Sequence, residues 1–304
     1  MKRLLLFGFL LIILGITINF RMDIKKFIYE KINFNDKLVT IDKKNEYYRD
    51  YDFDFVQNTN YFSPSSRQDI LNIYYTSINA GLEKFSFYCP NKYKDCLTEV
   101  KDIANNQELL SHINNFVHPY NSFKNIETEY DSLGKVTIKI KKAYTKEDIE
   151  KIDKKINDIY NSLILSDSNQ IENIKSVHDY IINNSKYDSL RSDNNIINYK
   201  SDIAYGTLIQ GYGICGGYTD AMELFLEKMK IKSYKVSSDS HVWNAVFING
   251  NWYHLDLTWD DPVTSDSSDI LDDTFFLINT STLKSSQIEQ HEFDQEIYSE
   301  LKEA

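Results

Sequence analysis

His241-Val-Trp-Asn-Ala-Val-Phe-Ile248, then Asn249-Gly250, then Asn251-Trp-Tyr-His-Leu-Asp256-Leu-Thr258: the reading of this stretch decides the fold. Two apolar runs rich in aromatic and branched residues flank an Asn-Gly pair, the preferred two-residue type I′ turn, so they read as a β-hairpin. The turn pairs Ile248 with Asn251. Counting outward sets Trp243 opposite Asp256 and His241 opposite Thr258. Residues two apart share a strand face, so His241, Trp243 and Asp256 point the same way. Diagonal neighbours on one face have Cα atoms about 7–8 Å apart, within reach of a carboxylate–imidazole hydrogen bond.

Upstream lies Gly211-Tyr-Gly213-Ile-Cys215-Gly216-Gly217-Tyr218. The glycines interrupt regular structure up to Cys215. Beyond it, Ala221, Leu224, Phe225 and Met229 recur at helical spacing. Cys215 therefore sits at a helix N-terminus, where the dipole and unpaired N–H groups favour a thiolate. Six of the ten glycines fall between 206 and 250, and all three tryptophans between 243 and 259. Such crowding is expected where backbone approaches backbone around a shaped pocket. A thiol at a helix start, a histidine on a strand and an aspartate on the next strand are what thiol acyl transfer requires. The histidine takes the thiol proton and later protonates the leaving amine, while the aspartate fixes its tautomer.

Tyr205-Gly206-Thr-Leu208, the cysteine block, His241-Val-Trp-Asn244 and Trp252-Tyr253-His-Leu-Asp256-Leu-Thr-Trp259-Asp260-Asp261-Pro262 together resemble the transglutaminase-like superfamily, more narrowly its bacterial exported members. The resemblance is firm over 170–262 and looser over 60–165. It implies an α+β, papain-like fold: an N-terminal helix bearing the cysteine packed on an antiparallel sheet, preceded by a smaller α+β domain. It implies Cys215 as nucleophile, His241 as base and Asp256 as orienting acid, with no cofactor. The substrate would be a protein or peptide amide, a cell-wall peptide among the options, either hydrolysed or joined to an amine. The rival is a non-catalytic surface module that keeps the fold for binding; retention of all three residues argues against it. The Cys215 N–H is the natural first oxyanion donor, with Gln210 and Tyr205 as rival side-chain candidates. Trp243 and Trp252 are candidate pocket walls, the alternative being sheet core. His254 and Asp260-Asp261-Pro262 read as structural. Gly216 stands where family members show various residues.

The chain has 304 residues, a formal charge of −11 and 42% hydrophobic residues. That is enough apolar material for a core, and the acidic balance disfavours a nucleic-acid partner. Residues 1–21, with an apolar run from Leu4 to Phe20, read as an uncleaved signal anchor at the cell membrane with the body outside, the alternative being a cleaved signal and secretion. Residues 22–60 read as a stalk, a linker or an irregular lead-in segment. Residues 61–165 read as an α+β domain: a helix over 68–82, a short strand at 85–88, a largely helical 101–116, a hairpin over 124–141, and a helix opened by the capping box Thr145-x-x-Asp148. Cys89 and Cys96 flank a Pro-Asn turn and are placed to close a small disulfide loop in an exported protein. The catalytic half, 166–304, opens with a helix marked by Ile171, Ile174, Val177 and Ile181. Its acidic tail from 263 reads as solvated, with one further strand over 274–278.

Overall fold

The computed structural model describes residues 40–164, 169–262 and 271–302. The expected anchor and the first part of the stalk lie outside them. Among the described residues no helix is long and apolar enough to cross a membrane.

Helix α1 (Arg67–Asn79) opens on a reciprocal Ser66/Asp69 capping box. Strand β1 (Lys84–Tyr88) follows, then α2 (Cys96–Asn105) and α3 (Gln107–Asn115). The helix expected over 101–116 is thus two. Asn106 leaves the helical region (φ −92°, ψ 90°), and its side chain accepts from Leu109 N to start the second. The hairpin of β2 (Phe123–Tyr130) and β3 (Lys135–Lys142) stands as the alternation predicts, with β1 added in the order β1-β3-β2. Thr145 and Asp148 cap α4 (Lys146–Leu163) as their spacing predicts, and α5 (Gln170–Asn184) is capped by Asn169 and Glu172. The polar segment beyond it holds β4 (Lys186–Tyr187) and a short α6 (Ser189–Asn194). A single π-helical turn, Gly206–Gln210, precedes β5 (Tyr212–Gly213), which pairs with β4 in parallel.

The cysteine helix α7 (Cys215–Lys228) packs on the antiparallel sheet of β6 (Ser233–Ser237), β7 (Val242–Ile248) and β8 (Asn251–Leu255). The hairpin register is the expected one, from Ile248 opposite Asn251 to Asn244 opposite Leu255. Asn249 (φ 52°) and Gly250 (φ 88°) take the left-handed conformations that a type I′ turn demands.

This sheet is buried on both faces. Along β7, Trp243 and Ala245 enter one apolar core, and Val246 and Ile248 enter the other. The second core is built with α4, α5 and α7. The first takes residues from α1–α3, β1–β3 and the C-terminal segment alike, so packing does not divide at 165. Two expectations are corrected here. Residues 40–60 are not a free stalk: Phe53 and Val56 are buried, and Arg49 reaches Glu223 of α7 at 2.5 Å. Nor is the tail simply solvated. Phe275, Leu283, Tyr298 and Leu301 are buried in the first core. The strand expected over 274–278 is a single bridge between Ile278 and His254, followed by helix α8 (Thr280–Ser285). The tail's acidic composition hid apolar residues spaced too irregularly to show a period.

Candidate active site

Cys215 is the first residue of α7 and is partly exposed. Two glycines let the loop before the π-turn press against this helix start, and a third, Gly206, lets that loop close on the π-turn. A Cβ on Gly217 would meet Ser201 O at 2.3 Å, one on Gly216 Asp202 O at 2.8 Å, and one on Gly206 Lys200 O at 2.5 Å. The glycine crowding is therefore a steric requirement, which also explains Gly216. Thr219, one turn on, fixes the helix to the sheet. Its hydroxyl lies 2.7 Å from Cys215 O and 2.9 Å from Val242 O, and its own carbonyl accepts from Asn244 Nδ2 at 3.2 Å.

His241 enters β7 from a tight turn. Ser238 N donates to His241 O at 3.0 Å, and His241 N to Ser238 Oγ at 3.2 Å. The ring is buried and stacks on Trp243, centroids 5.6 Å apart. Its Nε2 donates to Asp256 Oδ2 at 2.6 Å, which leaves Nδ1 uncommitted to the carboxylate, and Cys215 is close enough to this ring to favour its protonated form. Asp256 follows the last residue of β8. It is 1% exposed, and its Oδ1 accepts from the N–H groups of Thr258 (3.0 Å) and Trp259 (3.3 Å). Burial alone would raise the Asp256 carboxyl. The charges and hydrogen bonds of His241 and His291 outweigh it and hold the group well below the usual carboxylate range. Burial likewise disfavours an imidazolium at His241, but Asp256, with Cys215 adding to it, pushes its pKa up to about 10.

His291 is the residue that sequence reasoning missed. A 3₁₀ turn, Glu289–His291, delivers it from the C-terminal segment, and its Nε2 lies 2.8 Å from the same Asp256 Oδ2. Its one advance signal is a histidine among the apolar residues Ile288 and Phe293. His241, Asp256 and His291 bring three ligand-type atoms within 4.8 Å. Their separations from the carboxylate oxygen are those of hydrogen bonds. Donors on one tetrahedral zinc ion at about 2.0–2.1 Å stand about 3.3 Å from each other.

The other sequence candidates lie elsewhere. Gln210 is exposed, and its Oε1 accepts from Lys200 N at 2.8 Å. Tyr205 lies under the ammonium groups of Lys200 and Lys151. Trp243 is fully buried behind His241 and donates to His254 Nδ1 at 2.9 Å, so it backs the imidazole and walls no open pocket. His254, bonded also to Thr280 Oγ1 at 3.0 Å, ties β8 to α8. Burial, with the neighbouring His291 adding to it, lowers its pKa to about 3. Asp260 pins the chain to His178 of α5 (3.1 Å) and to Phe275 N (2.8 Å). For an oxyanion, the Cys215 N–H at the helix start remains; no acceptor for it is seen among the described residues.

The model of the transglutaminase-like superfamily matches residues 157–257. That segment, about a third of the chain, is what is similar to the superfamily. It carries Cys215, His241 and Asp256, while His291 lies beyond its end. Two solved structures are similar to the chain in part. One is a TGase, 14% identical over 45% of this chain and 45% of its own, with a TM-score of 0.34. The other, from Cytophaga hutchinsonii, is described as a candidate cysteine protease; it is 16% identical over 44% of this chain and 61% of its own, with a TM-score of 0.28. The matches thus span about half the length of those chains. No curated protein matches the sequence.

Proposed function

We propose that the protein is a thiol enzyme acting on amide bonds of proteins or peptides through Cys215, His241 and Asp256. The observation that carries this reading is a single imidazole bonded to a buried carboxylate and neighboured by the only unpaired thiol, which stands at a helix start. His241 takes the Cys215 proton on Nδ1, and the thiolate adds to the amide carbonyl. The oxyanion forms beside the Cys215 N–H, the position where a fixed donor lowers the barrier most. His241 then gives its proton to the leaving amine, and a thioester remains on Cys215. Water releases an acid, whereas an amine releases a crosslinked amide.

The disulfide between Cys89 and Cys96 supports an oxidising compartment. With the apolar run at the N-terminus, it favours an extracytoplasmic body held at the membrane, where surface or cell-wall peptides are within reach.

A glutamine-bearing peptide with a labelled amine tests the chemistry. Amine incorporation that disappears in Cys215→Ala assigns crosslinking, and free acid alone assigns hydrolysis. If neither product forms with any of a panel of amide and cell-wall peptides, the enzyme reading gives way to a binding module.

A further inference from the structure

One carboxylate oxygen serves two histidines. Asp256 Oδ2 lies 2.6 Å from His241 Nε2 and 2.8 Å from His291 Nε2, and all three side chains are buried. A carboxylate only accepts, so both ring nitrogens carry protons. On one side His291 packs against aromatic rings: Phe275, Trp243 and Trp259 stand 4.8, 5.2 and 5.4 Å away between centroids. Its Nδ1 is buried with no partner among the described residues. A buried polar atom without a partner is destabilising. An apolar ring would fill this aromatic box without that cost, so packing does not account for a histidine here. Its one polar bond explains it.

We propose that His291 is a positioning residue of the thiol centre: its Nε2–H holds the Asp256 carboxylate in line with His241 and draws off part of the charge that His241 would otherwise face alone. This rests on the thiol-enzyme reading above. The chemical need is clear. His241 must both hold a proton and release it, and a carboxylate committed wholly to it would keep it protonated. A second N–H on the same oxygen tempers that hold and blocks rotation of the carboxylate. The backbone carries the same linkage, since Ser238 Oγ, which accepts from His241 N, donates to Gln290 O at 2.7 Å. Other charged or titratable groups facing this cluster are Cys215, His254 and Asp260, with Lys284 and Glu292 lining the same cavity as His291.

The test uses the full chain with isotope-labelled histidine and NMR titration of the rings, His241 being assigned by its loss in His241→Ala. In the unaltered protein the His291 proton is expected on Nε2; a neutral His291 ring with its proton on Nδ1 overturns the proposal without any variant. In His291→Phe, which refills the aromatic box, His241 is expected to keep its proton to higher pH by about one unit, a tenfold change in its proton affinity. His291→Gln, whose amide N–H can stand where Nε2 stands, is expected to return the titration close to that of the unaltered chain. An unchanged titration in His291→Phe, or a Gln variant identical to Phe, overturns the proposal. A residue with a merely structural role moves the melting temperature of both variants and leaves the His241 titration where it is. Failure of the parent reading looks different. If Cys215 reacts with iodoacetamide at the same rate with and without His241, the thiol centre itself falls, whatever His291 does.

Discussion

At the scale of single residues, the site is a pair of hydrogen bonds meeting on one carboxylate, with one sulfur beside the His241 ring. An imidazolium beside the sulfur favours a thiolate, which is the reactive form. Cys215 is therefore expected to react with iodoacetamide at neutral pH at least tenfold faster than in His241→Ala; equal rates remove the pair. His241 also ties stability to pH. Its value rises from about 6.5 in an unfolded chain to about 10 when folded. A group raised on folding stabilises fully below its unfolded value and loses that contribution as pH rises towards the folded one. The stability difference between the unaltered chain and His241→Gln should thus shrink between those two values, as urea unfolding at several pH values will show. His241 and Asp256 were legible because a two-residue turn fixes register and register fixes face. Tyr205 and Gln210 were not: proximity in sequence to Cys215 says nothing of direction, and the π-helical turn carries both towards Lys200. His291 was hidden because it lies 35 positions beyond Asp256, across an acidic, aperiodic chain.

At the scale of elements, the cysteine helix owes its place to what its first turn lacks. Ser201 O stands where a Gly217 Cβ would go, and backbone cannot step aside as a flexible side chain can. Gly217→Ala is expected to cost about 1–3 kcal/mol, the range for overpacking a tight contact. It should also slow Cys215 alkylation, because the helix start must shift. A denaturant midpoint and an alkylation rate both unchanged would refute that contact. The glycine cluster announced a close approach without naming its partner, since steric need is local and the partner is not. Elements with a clear period or cap, such as α4 and α5, were legible for the complementary reason: their signals are complete within a few residues. Asn106 shows the limit, because a residue good at capping can end one helix and begin the next within a single apolar pattern.

At the scale of the molecule, the segment that matches the superfamily is not self-sufficient. Trp243 and Ala245 turn their face of the sheet towards residues from both ends of the chain. Arg49 is one such link. Its guanidinium is buried against Glu223 and Glu227 of α7 and donates to Phe116 O at 3.1 Å. Burial raises Glu223 and Arg49 opposes it, leaving a value of about 7. Removing one partner of such a buried pair costs about 3–5 kcal/mol. Arg49→Met should cost that much where Glu223 must ionise and markedly less in acid, where the stranded carboxyl holds a proton. A cost independent of pH would show that Glu223 is not the group left behind. Sequence reading placed 40–60 outside the fold because isolated aromatics among polar residues have no period, although Phe53 and Val56 are core.

The order in which the chain is made gives the C-terminal segment a further meaning. Cys215 is synthesised 76 residues before His291 (291 − 215). At about 5–20 residues per second, that interval is about 4–15 s. For the last 35 residues of it (291 − 256), Cys215, His241 and Asp256 all exist, while the residue that completes the hold on Asp256 does not. A nascent chain would therefore carry an unfinished centre past every neighbouring peptide it meets, and full reactivity would arrive only after the polypeptide had passed its last core residues.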